Sequence, residues 1–254
     1  MKLPAVSYLT AIYLFFYIPI IVLIAYSFND AKYSLLWHGI SLRWYQELFT
    51  DTDLWLAALH SLALGVTAAT AAMCLGSLAA INLYRYDFFG RKFLSSLIFI
   101  LILSPDIVMG IALLILFSFI KIKLGFWSLL LAHITFCIPF VVVTVYSRMI
   151  SLDENIFEAA KDLGANDLTI LSRIVLPLLW PALIAGWLLS FTLSIDDVLI
   201  SYFVAGPDFQ ILPLAIYSMV HLGVTPEINA LCSVLFALTL LLVVVSQFLL
   251  RKKL

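Results

Sequence analysis

Charge is what this chain has least of. Only 11% of its 254 residues are Asp, Glu, Lys or Arg, against roughly 25% in soluble domains. With a net charge of −1 it has no basic surplus to attract nucleic acid. Cysteine is scarce too: Cys74, Cys137 and Cys232 each lie in an apolar stretch without metal-ligand spacing, so they read as small core hydrophobes. His38, His60, His133 and His221 are scattered, belong to no HExxH pattern, and read as interfacial residues. GxxxxGK[ST] is missing, Gly90-Arg91-Lys92 being only a basic loop, and no nucleophile elbow is present. The expectation is a chain that is not an enzyme, holds no metal or cofactor, and leaves any ATP and Mg to a partner. There is no low-complexity stretch, and no internal repeat of the kind an inverted-repeat carrier often shows.

What is present is apolar. Hydrophobic residues make up 64% of the sequence and the mean hydropathy is +1.13. The fold class this implies is an all-α polytopic membrane protein, a single membrane domain over 1–254. Six spans are expected at about 4–28, 60–84, 93–120, 126–148, 177–203 and 227–250. The first is too long for a signal-peptide core and reads as a retained anchor. A short interfacial helix is expected at 41–49, among Trp37, Trp44, Tyr45 and Trp55. The third span is interrupted by Ser104-Pro105-Asp106; Pro105 should kink it, with Ser104 capping the second half. A tight turn is expected at 121–125 and another short helix at 213–220.

Lys and Arg are distributed unevenly between the two faces. Lys2, Arg85, Arg91, Lys92, Arg148, Lys161, Arg173, Arg251, Lys252 and Lys253 fall on one, and Lys32, Arg43, Lys121 and Lys123 on the other. The positive-inside rule then puts both termini and the 151–177 loop in the cytoplasm. That loop carries Asp153, Glu154, Glu158, Asp162 and Asp167 with Lys161 and Arg173. It reads as two short helices. Asp153 caps the first, about 153–163, and Gly164 ends it in the left-handed conformation. Asn166 or Asp167 caps the second, and Pro177 stands where the next span would begin.

Asp106, Asp196 and Asp197 are the acids placed inside spans. A central aspartate costs ~2.5–3.5 kcal/mol on insertion scales, which favours a cavity or pathway over lipid. Trp187, Ser190, Ser194, Asp197 and Ser201 recur at three and four residues and make one polar stripe on the fifth span. Such a path suits a cation, and Trp44 and Trp187 could add cation–π attraction. The plainer alternative leaves Asp106 as a cap on a broken helix and the aspartate pair in the outer headgroup layer.

One motif carries a resemblance. Glu158-Ala159-Ala160, three residues, Gly164, nine residues, Ile174, one residue, Leu176-Pro177 resembles the EAA loop of ABC-importer permeases at every position. The resemblance implies the six-span type I importer permease fold, with that loop as a coupling helix docked in a groove on a cytoplasmic ATPase. The implied partners are a homologous second permease, an ATPase dimer that binds ATP and Mg, and an extracytoplasmic binding protein, in a bacterial inner membrane. SPDIVMGIALLILF and GWLLSFTLSIDDV are similar to the polyamine branch, the permeases of spermidine/putrescine importers. There Asp106, Asp196 and Asp197 would line the polyamine path. Rival readings are an importer of another small cationic or anionic solute, or a proton-coupled cation carrier using the same acids.

Overall fold

The computed structural model describes residues 3–31, 36–153, 155–223 and 225–251, with side chains over 6–31, 36–153, 155–223 and 225–241. Lys2, Lys32, Glu154, Lys252 and Lys253 lie outside the described residues. Apart from one isolated bridge between Asn29 and Ile40, the regular structure described is helical. The helices are α1 (Leu3–Tyr26), α2 (Arg43–Thr50), α3 (Thr52–Arg85), α4 (Arg91–Leu103), α5 (Asp106–Phe119), α6 (Phe126–Ile150), α7 (Asn155–Asp162), α8 (Asp167–Ile170), α9 (Leu176–Asp196), α10 (Leu199–Val204), α11 (Leu212–Leu222) and α12 (Pro226–Arg251). A π-helical turn, Leu171–Val175, joins α8 to α9.

Four helical stretches are each long and apolar enough to cross a membrane: Val6–Tyr26, Thr52–Arg85, Phe126–Ile150 and Asp167–Asp196. The second starts well before the expected residue 60. Asp51 causes this, its Oδ1 accepting from the Asp53 and Leu54 amides at 2.9 and 3.0 Å and so satisfying the first turn.

Three sequence expectations need correction. The third span is not one kinked helix: α4 and α5 meet at 116°. Pro105 forces the residue before it out of the helical region, so Ser104 (ψ 133°) and Pro105 (ψ 135°) are both extended and turn the chain. Ser104 does not cap α5; Pro105 occupies that position with no side-chain hydrogen bond. The fifth span does not reach residue 203. It stops at Asp196, Asp197 is extended (ψ 124°), and α10 follows separately. Pro177 does stand in the first turn of α9, as expected, although α9 continues the helical stretch Asp167–Asp196 rather than starting a separate one. Proline has no amide for the ladder, and the wide turn just before it, closed by the Leu176 amide on the Leu171 carbonyl, absorbs the irregularity.

The chain forms two compact units, 1–56 with 215–254, and 57–214. In the first, α12 packs on α1 and α2. Asn29 is fully buried and ties its loop together: its Nδ2 donates to the Leu36 carbonyl, its Oδ1 accepts from the His38 amide, and its carbonyl accepts from Trp44 Nε1, all at 2.8 Å. In the second unit α6 is the axis and α9 lies along it. Small residues permit the close approach: a Cβ on Gly76 would stand 2.8 Å from Val141, and one on Gly186 3.6 Å from it. Two apolar clusters stack along α6. One gathers Val141, Val145 and Met149 with Ala72, Ala80, Ile170, Val175 and Leu179. The other gathers Leu129 and Ala132 with Leu64, Met109, Leu113, Phe117, Ile200 and Val204.

Candidate functional site

The acids meet at the α9–α10 break. Along α5, Asp106, Gly110, Leu113 and Phe117 recur at four, three and four residues, so they share a face. Gly110 presses that face on α10; a Cβ there would lie 2.7 Å from the Phe203 ring and 3.3 Å from Ile200 Cα. Asp106, one turn earlier on that face, is half-buried. Asp196 is exposed.

Asp197 faces the other way. It is 8% exposed, and its carboxylate accepts from the Ile200 amide (3.2 Å), the Ser201 amide (2.8 Å) and the Ser201 hydroxyl (2.7 Å). The break leaves the first amides of α10 without helical partners, and Asp197 supplies them. Across from it, on α6, stands His133, 1% exposed. Its Nδ1 pairs with Ser194 Oγ at 2.7 Å, its Nε2 with Ser201 Oγ at 2.9 Å, and Nε2 lies 3.6 Å from Asp197 Oδ2. The Ser201 hydroxyl already donates to Asp197, so it accepts from Nε2–H; Nδ1 then accepts from the Ser194 hydroxyl. A neutral imidazole with its proton on Nε2 is the form that accepts from one serine and donates to the other.

The polar stripe read from the sequence is split by the break, with Trp187, Ser190 and Ser194 on α9 and Ser201 on α10, and protein covers most of it. Ser190 is fully buried, Ser194 is 2% exposed, and both face α6, where Cys137 Sγ donates to the Ser190 carbonyl at 3.5 Å. Trp187 is half-buried, its Nε1 donating to Thr70 Oγ1 at 3.0 Å and its ring stacked on Phe191. Trp44 is 6% exposed in the other unit, held by Asn29. Periodicity finds a face but not what covers it. His133 departs from the interfacial reading; its place in mid-span, opposite a serine stripe needing a partner, was the available signal.

The 151–177 loop sits at the opposite end of α6. Gly164 has φ +79°, as expected of the residue that ends the helix. Asn166 caps α8, its Oδ1 accepting from the Thr169 amide at 2.8 Å. Asp153 Oδ1 accepts from the Asn155 amide at 3.0 Å. Ala160 is 6% exposed and turned into the first apolar cluster, where Phe157 and Ile174 also pack, so it is not free for an outer contact. Glu158, Ala159, Gly164, Leu176 and Pro177 are exposed, as are Leu163 (89%) and Leu168 (76%). Arg85, the last residue of α3, pins the loop by pairing with Asp167 and lying 5.8 Å over the Phe157 ring.

Residues 72–254 match the family described as binding-protein-dependent transport system inner membrane component. The chain is 55% identical over 247 residues to the spermidine/putrescine transport system permease protein PotC of Escherichia coli K12, covering 97% of this chain and 94% of that one. It is 43% identical over 229 residues to the putrescine transport system permease protein PotI of the same organism, covering 87% and 81%. Its fold is that of a chain from a bacterial ABC transporter involved in the import of the acidic polysaccharide alginate, with a TM-score of 0.75 at 18% identity over 99% of this chain and 95% of the other. By its sequence, the chain belongs to the binding-protein-dependent transport system inner membrane component family, the permeases of ABC importers.

Proposed function

We propose that this chain forms, with a homologous second permease, the membrane path of an ATP-driven importer for spermidine and putrescine in a bacterial inner membrane. The observation that carries the substrate is the 55% identity to PotC over 97% of the chain. The exposed Asp196, with Asp106 beside it, suits it chemically, because carboxylates in a dry path favour ammonium groups. The proposed path keeps Asp106, Asp196 and the half-buried Trp187; the buried Ser190, Ser194 and Asp197 hold structure around it, and Trp44, buried within the first unit, is left out of it.

Six spans with both termini and the 151–177 loop in the cytoplasm complete the reading, supported by the Lys/Arg bias. The α4–α5 pair counts as one broken span. About 16 residues of α6 separate His133 from Met149 beside the loop, ~24 Å at 1.5 Å each, so acids and loop belong to opposite membrane faces. A partner ATPase dimer using ATP and Mg takes the exposed Glu158, Ala159, Leu163 and Gly164 surface. Its closure moves the loop, α9 carries the motion to the break, and an extracytoplasmic binding protein delivers the cation there.

The test is radiolabelled spermidine uptake into proteoliposomes holding this chain with its second permease, ATPase and binding protein. Hydrogen bonds to charged groups contribute ~1.5–3 kcal/mol. Asp106→Asn and Asp196→Asn should therefore cut uptake about 10- to 100-fold at low spermidine while ATP hydrolysis continues. Uptake of another solute only would overturn the substrate, and uptake driven by a proton gradient without ATP would overturn the mechanism.

Gly164→Trp tests the loop. A Cβ at Gly164 meets nothing within 4 Å, so the cost within the chain is confined to its positive φ, about 1–2 kcal/mol. The indole would instead project toward the ATPase. The variant should reach the membrane normally yet lose most ATP-driven uptake; normal uptake would count against a coupling role.

A further inference from the structure

The buried polar layer between the two apolar clusters of α6 has a consequence for the exposed acid next to it. From its geometry we infer that His133 is a positioning residue for cation transfer, bridging Ser194 and Ser201 across the α9–α10 break and thereby fixing where Asp196 points. The inference rests on the reading of Asp196 as a path residue, and its first arm does not depend on which solute is carried.

In an unbroken helix, seven residues would separate Ser194 from Ser201 by two turns, ~10 Å along the axis. That is farther than one imidazole with a hydrogen bond at each nitrogen reaches. Here one ring makes both bonds, at 2.7 and 2.9 Å, so the break and the bridge require each other. Asp197 finishes the joint from inside with its three donors. Successive residues at the end of a helix point ~100° apart. With Ser194 and Asp197 turned toward His133, the two residues between them, Ile195 and Asp196, point away from it; Ile195 is half-buried and Asp196 is exposed. The same joint sets α10, and α10 sets α5 through the close Gly110–Phe203 contact. One side chain on α6 thus governs the position of both path acids without touching substrate.

Donor and acceptor must lie on opposite ends of the bridging group. Glutamine keeps that polarity and leucine has neither. The experiment uses the full reconstituted importer with Cys74, Cys137 and Cys232 replaced by alanine. Asp196→Cys is labelled with a membrane-impermeant cationic thiol reagent, with residue 133 as His, Leu or Gln. A second arm measures spermidine KM and kcat with Asp196 intact.

His133→Leu should change the labelling rate at least fivefold, and should raise KM for spermidine about tenfold with a smaller effect on kcat. His133→Gln should recover most of both. Ser194→Ala, which removes only one end of the bridge, should shift labelling in the same direction and remains informative if His133→Leu fails to assemble. Equal labelling rates in Ser194→Ala and parent, or in His133→Leu and parent, overturn the inference. A shifted labelling rate in the Asp196→Cys background, with the wild-type importer carrying a different solute, supports the positioning role and overturns the polyamine reading instead.

Discussion

Asp197→Ala should fail as a folded protein, while Asp196→Asn should fold and fail as a transporter. The two residues are adjacent, equal in charge and alike in the sequence. The structure separates them by what they touch. Truncating Asp197 strips partners from the Ile200 amide and from the Ser201 amide and hydroxyl, all within a buried joint. Each buried group left unpaired costs ~1–3 kcal/mol, so the variant should lose several kcal/mol and much of its yield from membranes. Asp197→Asn keeps an acceptor but no charge and should fall between. Asp196 is exposed, and replacing it with asparagine removes no packing. Thermal unfolding of the detergent-purified complex, read beside spermidine uptake, distinguishes the two. An Asp197→Ala complex as heat-stable as its parent would return that residue to the path and deny the joint its structural role.

Arg85→Ala should uncouple the importer. As a contribution to stability the Arg85–Asp167 pair is small: Asp167 is 63% exposed, and such pairs contribute ~0–1 kcal/mol. Its position matters more. Arg85 ends the helix that runs back to the polar layer, and it holds both halves of the loop, Asp167 at the base of α8 and Phe157 on α7. A loop that yields under load transmits less of the ATPase stroke. Uptake should fall about tenfold, the factor that 1.4 kcal/mol represents, with ATP hydrolysis and unfolding temperature little changed. Exchanging the charges, Arg85→Asp with Asp167→Arg, should restore part of it. Full uptake by Arg85→Ala would mean that Ala160, Ile170 and Val175, packed in the core, hold the loop unaided.

What could be read from the sequence divides by range. The loop was legible because its signals are local: Gly164 needs only its own φ, and Asn166 caps an amide three residues away. Hydropathy located most helices, since burial in lipid requires little beyond composition. The failures are tertiary. Pro105 announces a disturbance, but whether a helix kinks or turns by 116° depends on what receives its second half, here α10 across Gly110. The serine stripe on α9 was found by spacing and assigned to a path because nothing in α9 names its covering partner. That partner, His133, lies sixty-one residues away from Ser194. Trp44 was chosen for its aromatic face, which Asn29 and the surrounding core hide.

The π turn bears on how a stroke could travel. On α9 the inward residues Leu179, Leu183, Gly186, Ser190 and Ser194 step by three or four, whereas Val175 and the preceding inward residue, Ile170, are five apart. The extra residue keeps both ends of the stretch facing the core, which a regular helix would put about 100° out of phase. It is also torsional slack. If the wide turn migrates by one residue, the segment it passes rotates by a similar angle about its axis, with no amide pulled out of the helix at either end. In the importer proposed above, the loop would then swivel on α9 as well as push it, the rotation being taken up at the wide turn and the push passed along α9.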